Sequence, residues 1–178
     1  TMGRMAMPFY ILYAGNSIGL SGVTLGIITF SFTMAGTISN LIWGVIADAR
    51  GFRLVFLLSS MLWVVASAML LIAPTYGMTV VVFAGIGAAS QGFENSSRSI
   101  VLEFGDRDNR PARIAIANTV AQVAGSIGPL LGGALATWYG YESVFITAIF
   151  FLVVGAMLVY FYVPEPRSQR AESTGRVT

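Results

Sequence analysis

From Met5 to Ala47 this chain carries no charged side chain, and from Leu54 to Phe93 it again carries none. Runs of that length decide the solvent before anything else is considered. An apolar stretch of about 20 residues crosses the hydrocarbon core of a bilayer as a helix. Composition agrees, with 56% hydrophobic and 10% charged residues, where a soluble domain carries roughly a quarter charged. A water-facing surface cannot be built from such material, so the chain reads as an integral membrane protein.

The runs divide into spans. Residues 22–47 form one without a charge, and 54–73 a second, stopped by Pro74. Residues 78–104 are long enough for a third but carry Glu94, Arg98 and Glu103 in their second half. Residues 112–137 and 143–163 complete the set, the last ended by Pro164. The links DARGFR, PTYG, GDRDNRPAR and WYGYE are too short for anything but antiparallel neighbours. The beginning differs: Arg4 to Ala14 covers only about 17 Å as a helix. Residues 1–15 therefore read as the outer half of a further helix whose inner half is absent or broken, followed by the polar link GNSIGLSG. Thr1 in first place hints at residues upstream. The expected fold is all-α: a polytopic membrane bundle, 1–163, of about five full transmembrane helices plus a partial first one, with a tail at 164–178.

Net charge of +2 and a pI near 9.2 would suit a nucleic-acid partner, but the arginines contradict that. Arg50 and Arg53, then Arg107, Arg110 and Arg113, then Arg167 and Arg170 fall on alternate links and the tail. Basic residues retained on one side mark the cytoplasmic face, so the C-terminus is expected there, and nucleic acid is not a partner. With no Cys and no His, disulfides, Cys/His zinc sites and imidazole relays are excluded. Paired carboxylates on one face are missing, as is a Walker loop. The chain is not expected to be an enzyme, nor to hold a metal or cofactor.

Two motifs carry a resemblance. Gly44, Asp48, Gly51 and Arg53 fit G-x-x-x-D-x-x-G-x-R, with Gly51 placed for a sharp turn and Asp48 able to face a helix N-terminus. Gly125, Gly128, Pro129, Gly132 and Gly133 fit G-x-x-x-G-P-x-x-G-G: a smooth face for close packing with a proline that removes a backbone hydrogen bond. In this order, three helices apart, they resemble the loop signature and the glycine–proline helix of the major facilitator superfamily of secondary transporters. The ending FYVPEPRSQR is similar to that of such permeases. The resemblance implies one six-helix half of a two-bundle transporter, set in a bacterial inner membrane. Ala49 and Phe52 stand where the signature usually has basic residues. That degeneracy and the short tail suit the C-terminal half, helices seven to twelve, with the N-terminal half as the alternative.

Polar groups within spans are costly and therefore informative. Arg4 lies near mid-membrane and either faces a wet cavity, where it could hold an anionic substrate, or snorkels to an interface. Glu94, about 24 Å along its helix, is either a proton-coupling site or the partner of Arg98 at i, i+4. Gln91, Asn118, Gln122 and Ser126 complete the set. The last three recur every four residues, so one helix face is polar; it serves a solute pathway or interhelical hydrogen bonding. Phe9, Tyr10, Tyr13, Trp138, Tyr139 and Tyr141 read as an interfacial belt. The reading reached is a secondary transporter moving a small solute by alternating access. Its partners are membrane lipids, the solute and another six-helix half. The alternative is a non-transporting half-permease in a larger complex.

Overall fold

The structure, a computed structural model, describes residues 7–18, 21–72, 75–103 and 110–163. Arg4, the stretch 104–109 and the tail 164–178 lie outside the described residues. Among the described residues six helices follow one another: α1 Met7–Ile18, α2 Gly22–Arg50, α3 Phe52–Leu71, α4 Tyr76–Glu103, α5 Arg110–Tyr139 and α6 Tyr141–Tyr162. Among them α2 to α6 contain five segments long and apolar enough to cross a membrane. The chain is an all-α, multi-pass membrane bundle.

Local chemistry sets the helix ends. Ser21 caps α2, its hydroxyl accepting from the Thr24 amide at 3.1 Å. At the far end Gly51 adopts φ 88° and donates its N–H to the Ala47 carbonyl at 2.8 Å. Gly51 is the only residue between α2 and α3, so DARGFR is a one-residue reversal that only glycine enters without strain. Gly140 repeats the device between α5 and α6, with φ 82° and its N–H on the Ala136 carbonyl at 3.1 Å. The link expected at GNSIGLSG is shorter than its polarity suggests, because α1 continues helically to Ile18. Glycine and hydroxyl residues break helices where water competes for the backbone, and away from water the helix is the way to satisfy it.

α2 packs chiefly on α4, α3 on both α4 and α6, and α5 on α6. The α2–α4 seam is built of small residues. A Cβ on Gly36 would meet Gln91 Cγ at 3.0 Å and the Gly87 carbonyl oxygen at 3.2 Å. One on Gly87 would stand 2.8 Å from the Phe32 carbonyl carbon, with its oxygen nearer still, and one on Gly92 would lie 2.7 Å from the Trp43 indole. Backbones this close gain van der Waals contact that apolar solvent does not oppose. Hydrogen bonds cross the same seam: Ser31 donates to the Val80 carbonyl at 3.1 Å, and the Trp43 indole to the Ala88 carbonyl at 2.8 Å.

Elsewhere several buried hydroxyls turn inward on their own helices. Ser59 and Ser60 donate to the Phe56 carbonyl at 3.1 and 2.7 Å, Ser90 to Gly87 at 2.9 Å and Ser96 to Gly92 at 2.6 Å. Each hydroxyl is satisfied one turn back. Phe9 and Tyr10, expected in an interfacial belt, are buried instead. Tyr10 stacks on Phe145 with centroids 5.2 Å apart. An aromatic near a helix end faces the headgroups only if no neighbouring helix covers it, and here α3 and α6 do. Trp138 and Tyr139 remain exposed at the α5 end, as a belt requires.

Candidate functional site

Two exposed faces of α2 stand a residue apart in sequence, about 100° around the helix. Val23, Phe30, Met34, Leu41 and Val45 form one, wholly apolar. Gly26, Thr29, Thr33, Thr37, Asn40 and Gly44 form the other, at spacings of three and four, and all are exposed. Added Cβ atoms on Gly26 and Gly44 would meet nothing within 4 Å. α5 repeats the arrangement. Ile116, Val120, Val123, Ile127 and Leu130 are exposed and apolar, while Asn118, Gln122, Ser126, Pro129 and Thr137 are exposed on the neighbouring face.

Between the two helices, α4 supplies the charges. Gln91, Glu94, Asn95 and Arg98 share a face at i, i+3, i+4 and i+7. Asn95 Nδ2 donates to Asn40 Oδ1 at 2.8 Å, bringing α4 and the polar face of α2 together. Gln91 lies against Gly36. Arg98 and Glu94 approach to 3.6 Å, Arg98 largely exposed and Glu94 mostly covered. The ion pair weighed against a proton site is thus formed. At 3.6 Å it is loose, and an exposed pair of this kind contributes only about 0–1 kcal/mol. Among the described residues no three Asp, Glu, His or Cys side chains gather as a metal would need.

The loop motif separates into unlike parts. Gly51 makes the turn, Gly44 faces open space and Asp48 is exposed. Arg53 is not merely the topology charge it resembles in sequence. Its Nη2 donates to the Tyr160 carbonyl at 2.6 Å and its guanidinium lies 5.5 Å from the Tyr160 ring centroid. It thereby ties the start of α3 to the last turn of α6, where helix carbonyls have no intrahelical donor. Of the second motif, Gly128 and Gly132 are buried, Gly125 and Gly133 half-buried, and Pro129 exposed within an uninterrupted α5. Ser126 donates to the Gln122 carbonyl on its own helix at 2.9 Å. Reading the sequence alone passed over Asn40, Trp43 and the α2 stripe; the three-and-four spacing of Thr29, Thr33, Thr37 and Asn40 was the available signal.

The family model described as Major Facilitator Superfamily matches residues 1–178. The chain belongs to that superfamily. Among curated relatives, the superfamily chain is 28% identical over 166 residues to the Multi-drug resistance efflux pump PmrA homolog of Lactococcus lactis, covering 90% of this chain and 40% of the relative. It is 25% identical over 181 residues to Multidrug resistance protein MdtG of Dickeya zeae, covering 97% and 44%. It is also 25% identical over 126 residues to Citrate exporter 1 of Aspergillus niger, covering 69% and 24%. The chain thus spans less than half the length of these relatives.

Proposed function

We propose that this chain is the C-terminal half, helices seven to twelve, of a secondary active transporter that moves a small solute by alternating access. The observation that carries the reading is the double face of α2 and α5. Lipid suits Leu41 and Leu130; it does not suit Asn118 and Gln122, exposed amides that are costly to place in hydrocarbon. Those faces call for a second protein surface or a wet pathway, and another six-helix half supplies both. Gln91 and Glu94 then border the same pathway from α4, and Gly128 and Gly132 fix α5 within its own half. The relatives named for multidrug resistance make drug-like amphipathic solutes the first class to try. Arginine placement supports a cytoplasmic C-terminus; the bacterial relatives named for multidrug resistance make a bacterial inner membrane the setting to test first.

The experiment is dye efflux by the full-length protein in cells loaded with ethidium. Gln122→Leu and Asn118→Leu should reduce efflux without reducing the amount inserted, whereas Leu130→Ala should leave efflux near wild type. Equal effects on both faces would refute the assignment. A chain that assembles with a fixed partner and moves no solute would instead mark a structural membrane subunit.

A further inference from the structure

Helix α1 is held differently from the rest. The α2–α4 seam brings backbones into near contact; among the described side chains, α1 is joined through the far ends of long ones. Tyr10 Oη lies 2.7 Å from Ser67 Oγ, and the Trp63 indole N–H donates to Tyr10 Oη at 3.3 Å. All three residues are fully buried. Tyr10 also stacks on Phe145, and Tyr13 meets the same ring edge-on at 5.2 Å. These groups sit within about 12 Å of the bundle end where α1 and α3 finish and α6 begins, at 1.5 Å rise per residue.

We infer that Tyr10 is a positioning residue that latches α1 onto α3 and α6 at this mouth, and that the latch parts when the mouth fills with water. The inference rests on the transporter reading above. Its physical basis is the mutual dependence of the three polar groups. While the mouth is dry, separating α1 from α3 strands a phenol, a hydroxyl and an indole N–H without partners, which costs the full desolvation of each. Once water enters, each group is rehydrated and the penalty falls away. The latch therefore favours two states, dry and joined or wet and parted, over any half-opened form. The glycine seam differs: beside its hydrogen bonds it holds backbone van der Waals contacts at Gly36, Gly87 and Gly92 that water does not replace. α1 is the element that parts, and α3 and α6, which carry Ser67, Trp63 and Phe145, are what it parts from.

The chain contains no cysteine, so Ala148→Cys provides a unique reporter in a full-length protein cleared of other cysteines. Ala148 is buried, one turn below Phe145 on α6. A membrane-impermeant thiol reagent, applied to each face of vesicles in turn, should label it slowly. Tyr10→Phe keeps the ring stack and removes the hydroxyl; it should speed labelling about fivefold to tenfold from the mouth side, the size of one or two hydrogen bonds. Ser67→Ala should speed it less. The double variant should match Tyr10→Phe, since both remove the same bond. Labelling unchanged by either variant, at equal insertion, would overturn the latch, as would additive effects in the double variant. Should Tyr10→Phe fail to insert, Ser67→Ala alone decides. Labelling that follows the expected order in a protein that moves no solute would support the latch and sink the transporter reading.

Discussion

Gly87→Ala tests the tightest contact in the bundle. The new methyl would stand 2.8 Å from the Phe32 carbonyl carbon and 3.0 Å from its Cα, where ordinary Cβ contacts lie at 3.4–4 Å. Neither obstacle is the end of a flexible side chain, so α2 and α4 must part by several tenths of an ångström or more. Parting lengthens every bond across the seam together: Ser31 to Val80 at 3.1 Å, Ser39 to Ala88 at 3.4 Å, Trp43 to Ala88 at 2.8 Å and Asn95 to Asn40 at 2.8 Å. Overpacking alone costs about 1–3 kcal/mol, and loss of even one or two of these bonds adds about 1 kcal/mol each. A total of roughly 3 kcal/mol or more is expected, against which the better helix propensity of alanine returns about 1 kcal/mol at most. Gly26→Ala receives that propensity gain without a clash, since nothing lies within 4 Å of it. Thermal unfolding of the full-length protein in detergent should show Gly87→Ala lower by about 4–8 °C, at roughly 2–4 °C per kcal/mol, and Gly26→Ala at or above wild type. Indistinguishable midpoints would refute the claim that this seam is the rigid part of the fold.

Two further outcomes can be read by the same unfolding assay. Arg53→Ala should destabilise by about 1–2 kcal/mol, because a charged hydrogen bond is worth roughly 1.5–3 kcal/mol less the cost of its buried, unpartnered Nε; Tyr160→Leu should do less, since the accepting carbonyl is retained. Gly132→Leu should disturb the fold far more than Leu131→Ala, because Gly132 is buried and Leu131 half-exposed, and equal effects would mean that the glycine face of α5 points to lipid.

The parts of this fold that were legible in sequence are those set by one residue or one run. Apolar length marks the spans, and a glycine between two of them marks the reversal at Gly51. Contacts that depend on how two helices are offset were not legible. Gly36 and Gly87 meet only because α2 and α4 lie at one particular register, and glycine, alanine and serine are too common along both helices to single that pair out. Tyr10 failed for a related reason: hydropathy places an aromatic at a helix end but does not say whether a neighbour covers it. In sequence Arg53 shows as a motif member and a topology charge, while its hydrogen bond is to a carbonyl 107 residues away.

The inward-turned hydroxyls of α3 and α4 bear on how the protein is made. Ser59, Ser60, Ser90 and Ser96 are satisfied within their own helices, so each of these segments can leave the translocon singly with those hydroxyls already neutralised. What remains unmade at that moment are the cross-helix bonds, among them Trp43 to Ala88, Asn40 to Asn95 and Tyr10 to Ser67. Helices arriving in lipid one by one would find their neighbours through these few groups, which reward only the native pairing. The apolar faces, equally content against any hydrocarbon, carry no such information.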